Sequence, residues 1–359
     1  MAPIRVGLVG YRFSAKVFHL PYILPNPDFQ IYAVLQRTAA PAPGEEFPGF
    51  GHCTVDFPDV KHYRTAEDFF ADPKIELVII CTRVHQEFIE RGLEAGKHVV
   101  VEKPFVTASD IADRLIQLAN EKQKILTVFH NRRFDNDFRT LQYLMSKDAL
   151  GDVMEAEIHF DVASAPWINS WDRQEYKPGE GMTFGLGCHT IDQALLLFGR
   201  PESVTGFLRS TRGIESDIDD TFTIVLQYSG RHKNLVVTIK TAVVTHMKHQ
   251  LKYLVRGTKG SYLKFGTDPQ ESQAIAAPGK PAIDDKFGVE DESLWGTLTT
   301  TDEFDASCQR FDEDSQLYIA KAIRGEAEIY VKAETARDGL RVIELARESH
   351  TKGCAMRFS

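Results

Sequence analysis

Gly96-Lys97-His98-Val99-Val100-Val101-Glu102-Lys103-Pro104 reads as a short strand that runs into a charged pair and stops at a proline. The run from His98 to Val101 is brief and β-branched, as expected of a strand buried on both faces. Pro104 cannot continue a hydrogen-bonded ladder, and it biases Lys103 toward an extended backbone. A lysine is thereby predicted at the carboxyl end of a strand, where open α/β sheets hold their ligands. The plainer alternative is a surface lysine at a strand end.

The flanking sequence supports such a sheet. Ile4 to Val9 is an apolar strand ending at Gly10-Tyr11-Arg12-Phe13-Ser14-Ala15, after which a helix is expected through Leu20. That is where a dinucleotide-binding turn, G-x-G-x-x-G/A, belongs. Gly10 takes the first place and Ala15 an allowed third, but the second holds Arg12, whose side chain could pair with a phosphate instead. Gln30 to Leu35 is a second strand, followed by Gln36-Arg37-Thr38. With no acidic residue to bind ribose hydroxyls and Arg37 adjacent, a 2′-phosphate and hence NADP is favoured, with NAD as the alternative; a loop arginine in water would look the same. Residues 39–58 read as a loop. Thr65 and Asp68 form a capping box for a short helix. Leu77 to Cys81 is a strand, Gln86 to Ala95 a helix closed by Gly96, and Thr107 to Asp110 caps a helix to about Lys122. Ile125 to Phe129 is the fifth strand. This alternation predicts a doubly wound parallel sheet, a Rossmann domain over residues 1–129.

After His130 the pattern changes. A polar run, His130 to Asp137, leads into a helix over about Phe138 to Lys147. Strands are then expected at Val153–Phe160, Val204–Leu208, Thr221–Tyr228, Leu235–Val244 and Lys252–Arg256. This describes an α+β domain over residues 130–359 with a large, mostly antiparallel sheet, for substrate binding and oligomerisation. A second subunit covering that sheet would give a homodimer or higher homo-oligomer. His189-Thr190-Ile191-Asp192 is read as the start of an apolar helix through Phe198. Residues 268–305 look polar and irregular. Helices at about Asp312–Arg324 and Ala333–Glu348 end the chain and could pack back on the first domain.

The 359 residues carry 43% hydrophobic and 26% charged side chains, an ordinary soluble balance. A net charge of −9 argues against nucleic acid or an anionic membrane as partner. No apolar run has the length of a membrane span, and the start runs directly into a strand rather than a signal peptide. The five cysteines are scattered and show no C-x-x-C pair, so neither a disulfide framework nor a metal site is expected. A reducing cytoplasm is the simplest home.

Three stretches together resemble the glucose-fructose oxidoreductase / inositol dehydrogenase family of two-domain NAD(P)-dependent enzymes: Gly7-Leu8-Val9-Gly10-Tyr11, Ala95 through Pro104, and Gly187-Cys188-His189-Thr190-Ile191-Asp192-Gln193. The run from His130 to Phe138 is similar to the subgroup holding NADP-dependent scyllo-inositol dehydrogenases. The resemblance implies that Lys103 and His189 are catalytic, handling the proton of a reacting hydroxyl or carbonyl. It implies a small-molecule substrate contacted by Asp192, Trp171, Asn131 and Arg132. The cofactor would be held by Gly10, Arg12, Phe13, Ser14, Gln36, Arg37, Thr82, Arg83, His85, Glu102 and Lys103. His189 could alternatively be a core histidine, Asp192 an acid that suits the first turn of a helix, and the tryptophans packing anchors.

The sequence departs from the family pattern at four places. Arg12 replaces a glycine. The loop Thr82-Arg83-Val84-His85 is about two residues short. Gly185 stands where an aspartate often precedes the motif histidine by four residues. Asp161-Val162-Ala163 lacks an arginine often found there. Asp161 and Asp172 are conceivable substitutes for the missing carboxylate. The expected activity is hydride transfer between nicotinamide and a carbonyl or hydroxyl of a small polyol, sugar or related metabolite. The departures keep two alternatives open: a non-redox lyase, isomerase or cyclase on the same fold, and a ligand-sensing regulator.

Overall fold

A computed structural model describes residues 1–359 apart from Pro43, Glu46, Ser164, 172–174 and 302–314, with the side chains of Asn169, Ser170 and 315–317 also left out. Six parallel strands form the first sheet: β1 (Ile4–Val9), β2 (Phe29–Leu35), β3 (Lys61–Tyr63), β4 (Leu77–Ile80), β5 (His98–Val101) and β6 (Leu126–Val128). Their order is β3-β2-β1-β4-β5-β6. The order in which strands are added reverses between β1 and β4, which opens a crevice at their carboxyl ends. All four residues of β4 and Val99 to Val101 of β5 are buried because helices cover both faces. The helix Gln86–Glu94 comes close to β5 through Gly92, where a Cβ would lie 2.9 Å from Val99 Cγ2. β3 was missed in the sequence because Lys-His-Tyr at a sheet edge has no apolar run.

Eight strands form the second sheet: β7 (Val153–His159), β8 (Ser203–Arg209), β9 (Thr221–Gln227), β10 (Val236–Thr241), β11 (Leu251–Gly257), β12 (Gly260–Phe265), β13 (Thr297–Thr300) and β14 (Met356–Arg357). They run in the order β13-β12-β11-β7-β10-β9-β8-β14, antiparallel except for β10 on β7. One face buries Ala156, Ile158, Ile224, Leu226, Val237 and Ile239. Against it lie the helix Cys188–Phe198 and the long helix Ala333–Lys352, which also packs on the helix Ser109–Glu121. No helix among the described residues is long and apolar enough to cross a membrane.

Several local expectations need correction. The first helix is wider than expected and runs past Leu20, a π-helical turn over Ala15–His19 followed by Leu20–Ile23. The helix Ser109–Glu121 has no side-chain cap at Ala108; Ser109 instead donates its backbone N–H and its hydroxyl to Glu344, each at 2.7 Å. Residues 268–305 are not wholly irregular, since they hold the helix Gln270–Ala276 and β13. Most important for the site, His189 does not begin a helix. Helical turns start at Met182, widen into a π-helical turn over Thr183–Gly187, and continue through Phe198. Asp192 therefore lies in a helix interior, and the first-turn dipole explanation for it fails. The expected start of the helix near Asp312 lies outside the described residues.

Candidate active site

The carboxyl edge of the parallel sheet is built by backbone as much as by side chains. Gly10 leaves β1 with φ +91, and a Cβ there would meet Thr82 Cγ2 at 2.8 Å and the Cys81 carbonyl at 3.3 Å. Only glycine makes that turn without strain. Arg12 and Phe13 follow it and are exposed, with Phe13 edge-on to Phe18 and Phe50. Each of the first four strands is followed by an exposed arginine: Arg12 after β1, Arg37 after β2, Arg64 after β3 and Arg83 after β4. Arg64 donates from Nε to the Arg37 carbonyl at 3.2 Å, which sets the two side by side. Gln36 is committed to structure, accepting from Cys53 N on Oε1 at 3.0 Å and receiving His62 Nε2 on its carbonyl at 2.8 Å. Thr82 turns back on its own loop toward the Val84 carbonyl, and His85 Nδ1 reaches the Pro104 carbonyl at 2.7 Å.

Glu102 and Lys103 part company at the end of β5. Glu102 is buried and accepts from Ser14 Oγ at 2.7 Å, with His19 Nε2 at 2.9 Å. Burial pushes its carboxyl up, but His19, Lys103 and Ser14 outweigh that and hold it below the usual range. Glu102 and Ser14 thus stitch β5 to the helix after β1. Lys103, half-buried, points the other way and donates from Nζ to the Gly185 carbonyl at 3.2 Å. That contact joins the parallel sheet to the π-helical turn of the second unit. A π-turn carries an extra residue and loosens the backbone ladder, and such turns recur at functional sites.

His189 follows Gly185 by four residues on the same helix, so both face Lys103. Its ring lies 6.2 Å from those of His130 and Phe160, and its Nδ1 is enclosed with no hydrogen-bond partner among the described residues. Burial, then the charges of Lys103, Arg132, His130 and Lys252, hold the imidazole well below its ordinary value. It is therefore neutral at pH 7. Phe160 is flanked by two cations, with Arg132 Cζ and Lys252 Nζ each 4.9 Å from its centroid.

Asp192, three residues beyond His189, accepts from Arg133 Nε at 2.7 Å and Arg133 Nη2 at 2.6 Å. Burial raises its carboxyl, but Arg133 and then His130 pull it below its usual value. Arg132 is buried too, paired with Asp135 at 3.2 Å and with Glu271. Burial pushes Asp135 up to about 8 and Asp268 up to about 6. Asn131 opens a half-buried 3₁₀ turn beside these groups. Trp171 is partly buried, and its carbonyl receives Arg212. Asp161 is taken by the Ala242 N–H at 2.8 Å and by His159 at 3.2 Å, so it does not reach Lys103. Asp172 lies outside the described residues.

The structure brings Lys103 and His189 to one place and lines up Gly10, Arg12, Arg37 and Arg83 along the sheet edge. Asp192 and Arg132 instead belong to buried ion pairs. Sequence reasoning missed Arg64, His130, Arg133 and Lys252. Arg64 could have been found as a basic residue directly after a strand, had β3 been recognised. The others carry no local signal.

Comparison with known proteins agrees with this geometry. Residues 4–130 match the oxidoreductase family with an NAD-binding Rossmann fold, and residues 138–263 match the GFO/IDH/MocA C-terminal domain. The chain is 34% identical over 355 residues to the uncharacterised oxidoreductase YdgJ of Escherichia coli, covering 96% of each chain. It is 32% identical over 354 residues to the scyllo-inositol 2-dehydrogenase (NADP(+)) IolW of Bacillus subtilis, covering 96% of this chain and 93% of that one. The crystal structure of the probable oxidoreductase yhhX superposes with a TM-score of 0.84 at 29% identity, covering 99% of both chains. The chain belongs to the Gfo/Idh/MocA oxidoreductase family, with its NAD-binding Rossmann fold.

Proposed function

We propose that this protein is an NADP-preferring oxidoreductase that interconverts a hydroxyl and a carbonyl in a small polyol, sugar or related metabolite. The carrying observation is the row of basic side chains at one edge, Arg12, Arg37, Arg64 and Arg83 ending at Lys103, in a chain of net charge −9. Such a row suits a ligand with several phosphates. The residues fit the cofactor. The left-handed Gly10 keeps the turn free of a Cβ, exposed Arg12 leaves room beside it, and the adjacent Arg37 and Arg64 suit a 2′-phosphate. NADP, when bound, supplies the hydride acceptor or donor.

The chain's own residues position the substrate and move its proton. Lys103, held beside Gly185, would bind the reacting oxygen with its ammonium group and polarise it. His189, kept neutral, can accept the hydroxyl proton in oxidation and return it in reduction. Phe160 packs beside the His189 ring, with the centroids 6.2 Å apart. The outer face of the second sheet carries exposed Phe207, Val236 and Leu263, which supports a homo-oligomer formed through that sheet.

Gly185 favours one second reading. Where a carboxylate would partner Lys103, the hydrogen bond among the described residues goes to a backbone carbonyl. A lyase, isomerase or cyclase using Lys103 and His189 as acid and base would suit that arrangement. Titration with NADPH, read by nicotinamide fluorescence, separates the two. Saturable binding together with loss of about 10²–10⁴-fold in turnover for Lys103→Ala is expected for the oxidoreductase. No binding at millimolar NADPH would leave the non-redox reading.

A further inference from the structure

We propose that His52, Cys53 and His62 form a metal site for a zinc-class cation, placed behind the arginine pair at the end of β2 and β3. One nitrogen from each histidine and the Cys53 sulfur all lie within 4.8 Å of one another. Tetrahedral zinc, with bonds of about 2.0–2.3 Å, needs ligand atoms roughly 3.3–3.6 Å apart. The three side chains must close by about an ångström, a small adjustment of side-chain torsions. Two nitrogens and a thiolate are the mixed, borderline-soft set that zinc and cobalt take, with a fourth position left for water or an outer ligand.

Three features separate this cluster from a chance grouping. His52 and Cys53 are fully buried, while half-buried His62 leaves the group one open side. Both histidines also have the outer hydrogen bonds that orient a metal ligand. His62 Nε2 donates to the Gln36 carbonyl at 2.8 Å, which leaves the unprotonated Nδ1 as the ring's metal-ligating nitrogen. His52 Nδ1 accepts from the Thr54 N–H at 3.3 Å and lies 2.9 Å from Thr54 Oγ1, while its Nε2 contacts the Thr38 carbonyl at 3.4 Å; ligation through Nε2 moves the ring proton to Nδ1, which then donates to Thr54 Oγ1 in place of the Thr54 N–H contact. Finally, the rings pack edge to face at 4.7 Å, with Phe47 against His52 as an apolar shield. Metal binding displaces one proton from Cys53 to solvent as the Cys53–metal bond forms.

The site would have a structural role. Gln36 holds His62 through its carbonyl and Cys53 through its side chain, and Arg37 and Arg64 adjoin these residues. A bound ion would pin β2, β3 and the loop after β2 into one unit. The proposal does not depend on which cofactor the arginines take.

Cobalt(II) titration of the full-length, chelator-stripped protein tests it, with zinc competition and pH-stat measurement of released protons. One equivalent of cobalt, a thiolate-to-cobalt charge-transfer band, displacement by zinc and release of about one proton per ion are expected. Cys53→Ser should abolish the band, and His62→Asn should weaken cobalt binding at least tenfold. Cys354→Ser, at the exposed cysteine, should change nothing. Absence of the band, or a band that survives Cys53→Ser or disappears in Cys354→Ser, overturns the site. Should Cys53→Ser fail to fold, His62→Asn decides alone, because half-exposed His62 tolerates replacement; unchanged affinity there overturns the proposal.

Discussion

Two polar side chains on one helix, three residues apart, meet opposite conditions. Asp192 is saturated, with both oxygens on the Arg133 guanidinium, which also donates to Thr335 Oγ1 at 2.8 Å. His189 is equally buried, yet among the described residues its Nδ1 has no partner, and cations surround it. A saturated buried pair ties elements together: Arg133 links the turn after β6 to the helix Cys188–Phe198 and to the start of the helix Ala333–Lys352. An undersatisfied group keeps hydrogen-bonding capacity for something else. The same contrast repeats at the end of β5, where Glu102 is tied to Ser14 and His19 while the Lys103 ammonium donates to a carbonyl across the cleft. In both cases the satisfied neighbour holds the frame that positions the unsatisfied one.

The contrast can be broken experimentally. Arg133→Ala strands the Asp192 carboxylate in the interior. It should cost about 3–5 kcal/mol of folding stability, the usual result of removing one partner of a buried pair. Urea unfolding measures it, and a loss below about 1 kcal/mol would mean that Asp192 is held by something other than Arg133.

His189 should show itself through pH. Its folded value lies below the ordinary 6.5, so the unfolded chain takes up a proton that the folded protein refuses. Stability is fully present above 6.5 and falls as pH drops below it, by up to about 1.4 kcal/mol per pH unit from this group. His189→Asn should flatten that slope between pH 6.5 and 5.5. An unchanged slope would show that other groups, such as buried His130, carry the acid sensitivity. The smallest effect is at the arginine pair. Arg37→Asp should weaken NADPH binding about tenfold more than NADH, the scale of one charge-assisted hydrogen bond. Equal losses for the two cofactors would remove the 2′-phosphate role from Arg37.

Much of the frame was legible because its signals are local. Val99-Val100-Val101 states a buried strand, Gly96 a helix end, and Thr65 with Asp68 a capping box, whatever the rest of the chain does. The family motifs then marked Lys103 and His189, and the structure sets the helix carrying His189 against the end of β5. The roles of Asp192 and Arg132 were less legible. Both match the pattern of substrate contacts, but three-dimensional packing gives each a buried partner, Arg133 for one and Asp135 with Glu271 for the other. The widened turn at Gly185 has no local signature either. Residues 183–187 hold two glycines, poor helix formers, so nothing in the sequence marks a helical turn there, yet the structure runs a widened one through them.

By itself, then, the sequence determined the parallel sheet, the glycine turn after β1 and the strand that delivers Lys103 to its carboxyl edge. These follow from apolar periodicity, backbone restriction at Gly10 and Pro104, and β-branched side chains, all of which act within a few residues. Only the tertiary structure decided which charges are spent on each other. It gathered His52, Cys53 and His62 into one cluster, set Arg64 beside Arg37, and gave Asp192 to Arg133 while leaving His189 Nδ1 unpaired among the described residues. Electrostatic pairing depends on separations of a few ångströms between residues far apart in the chain, and folding alone sets those distances.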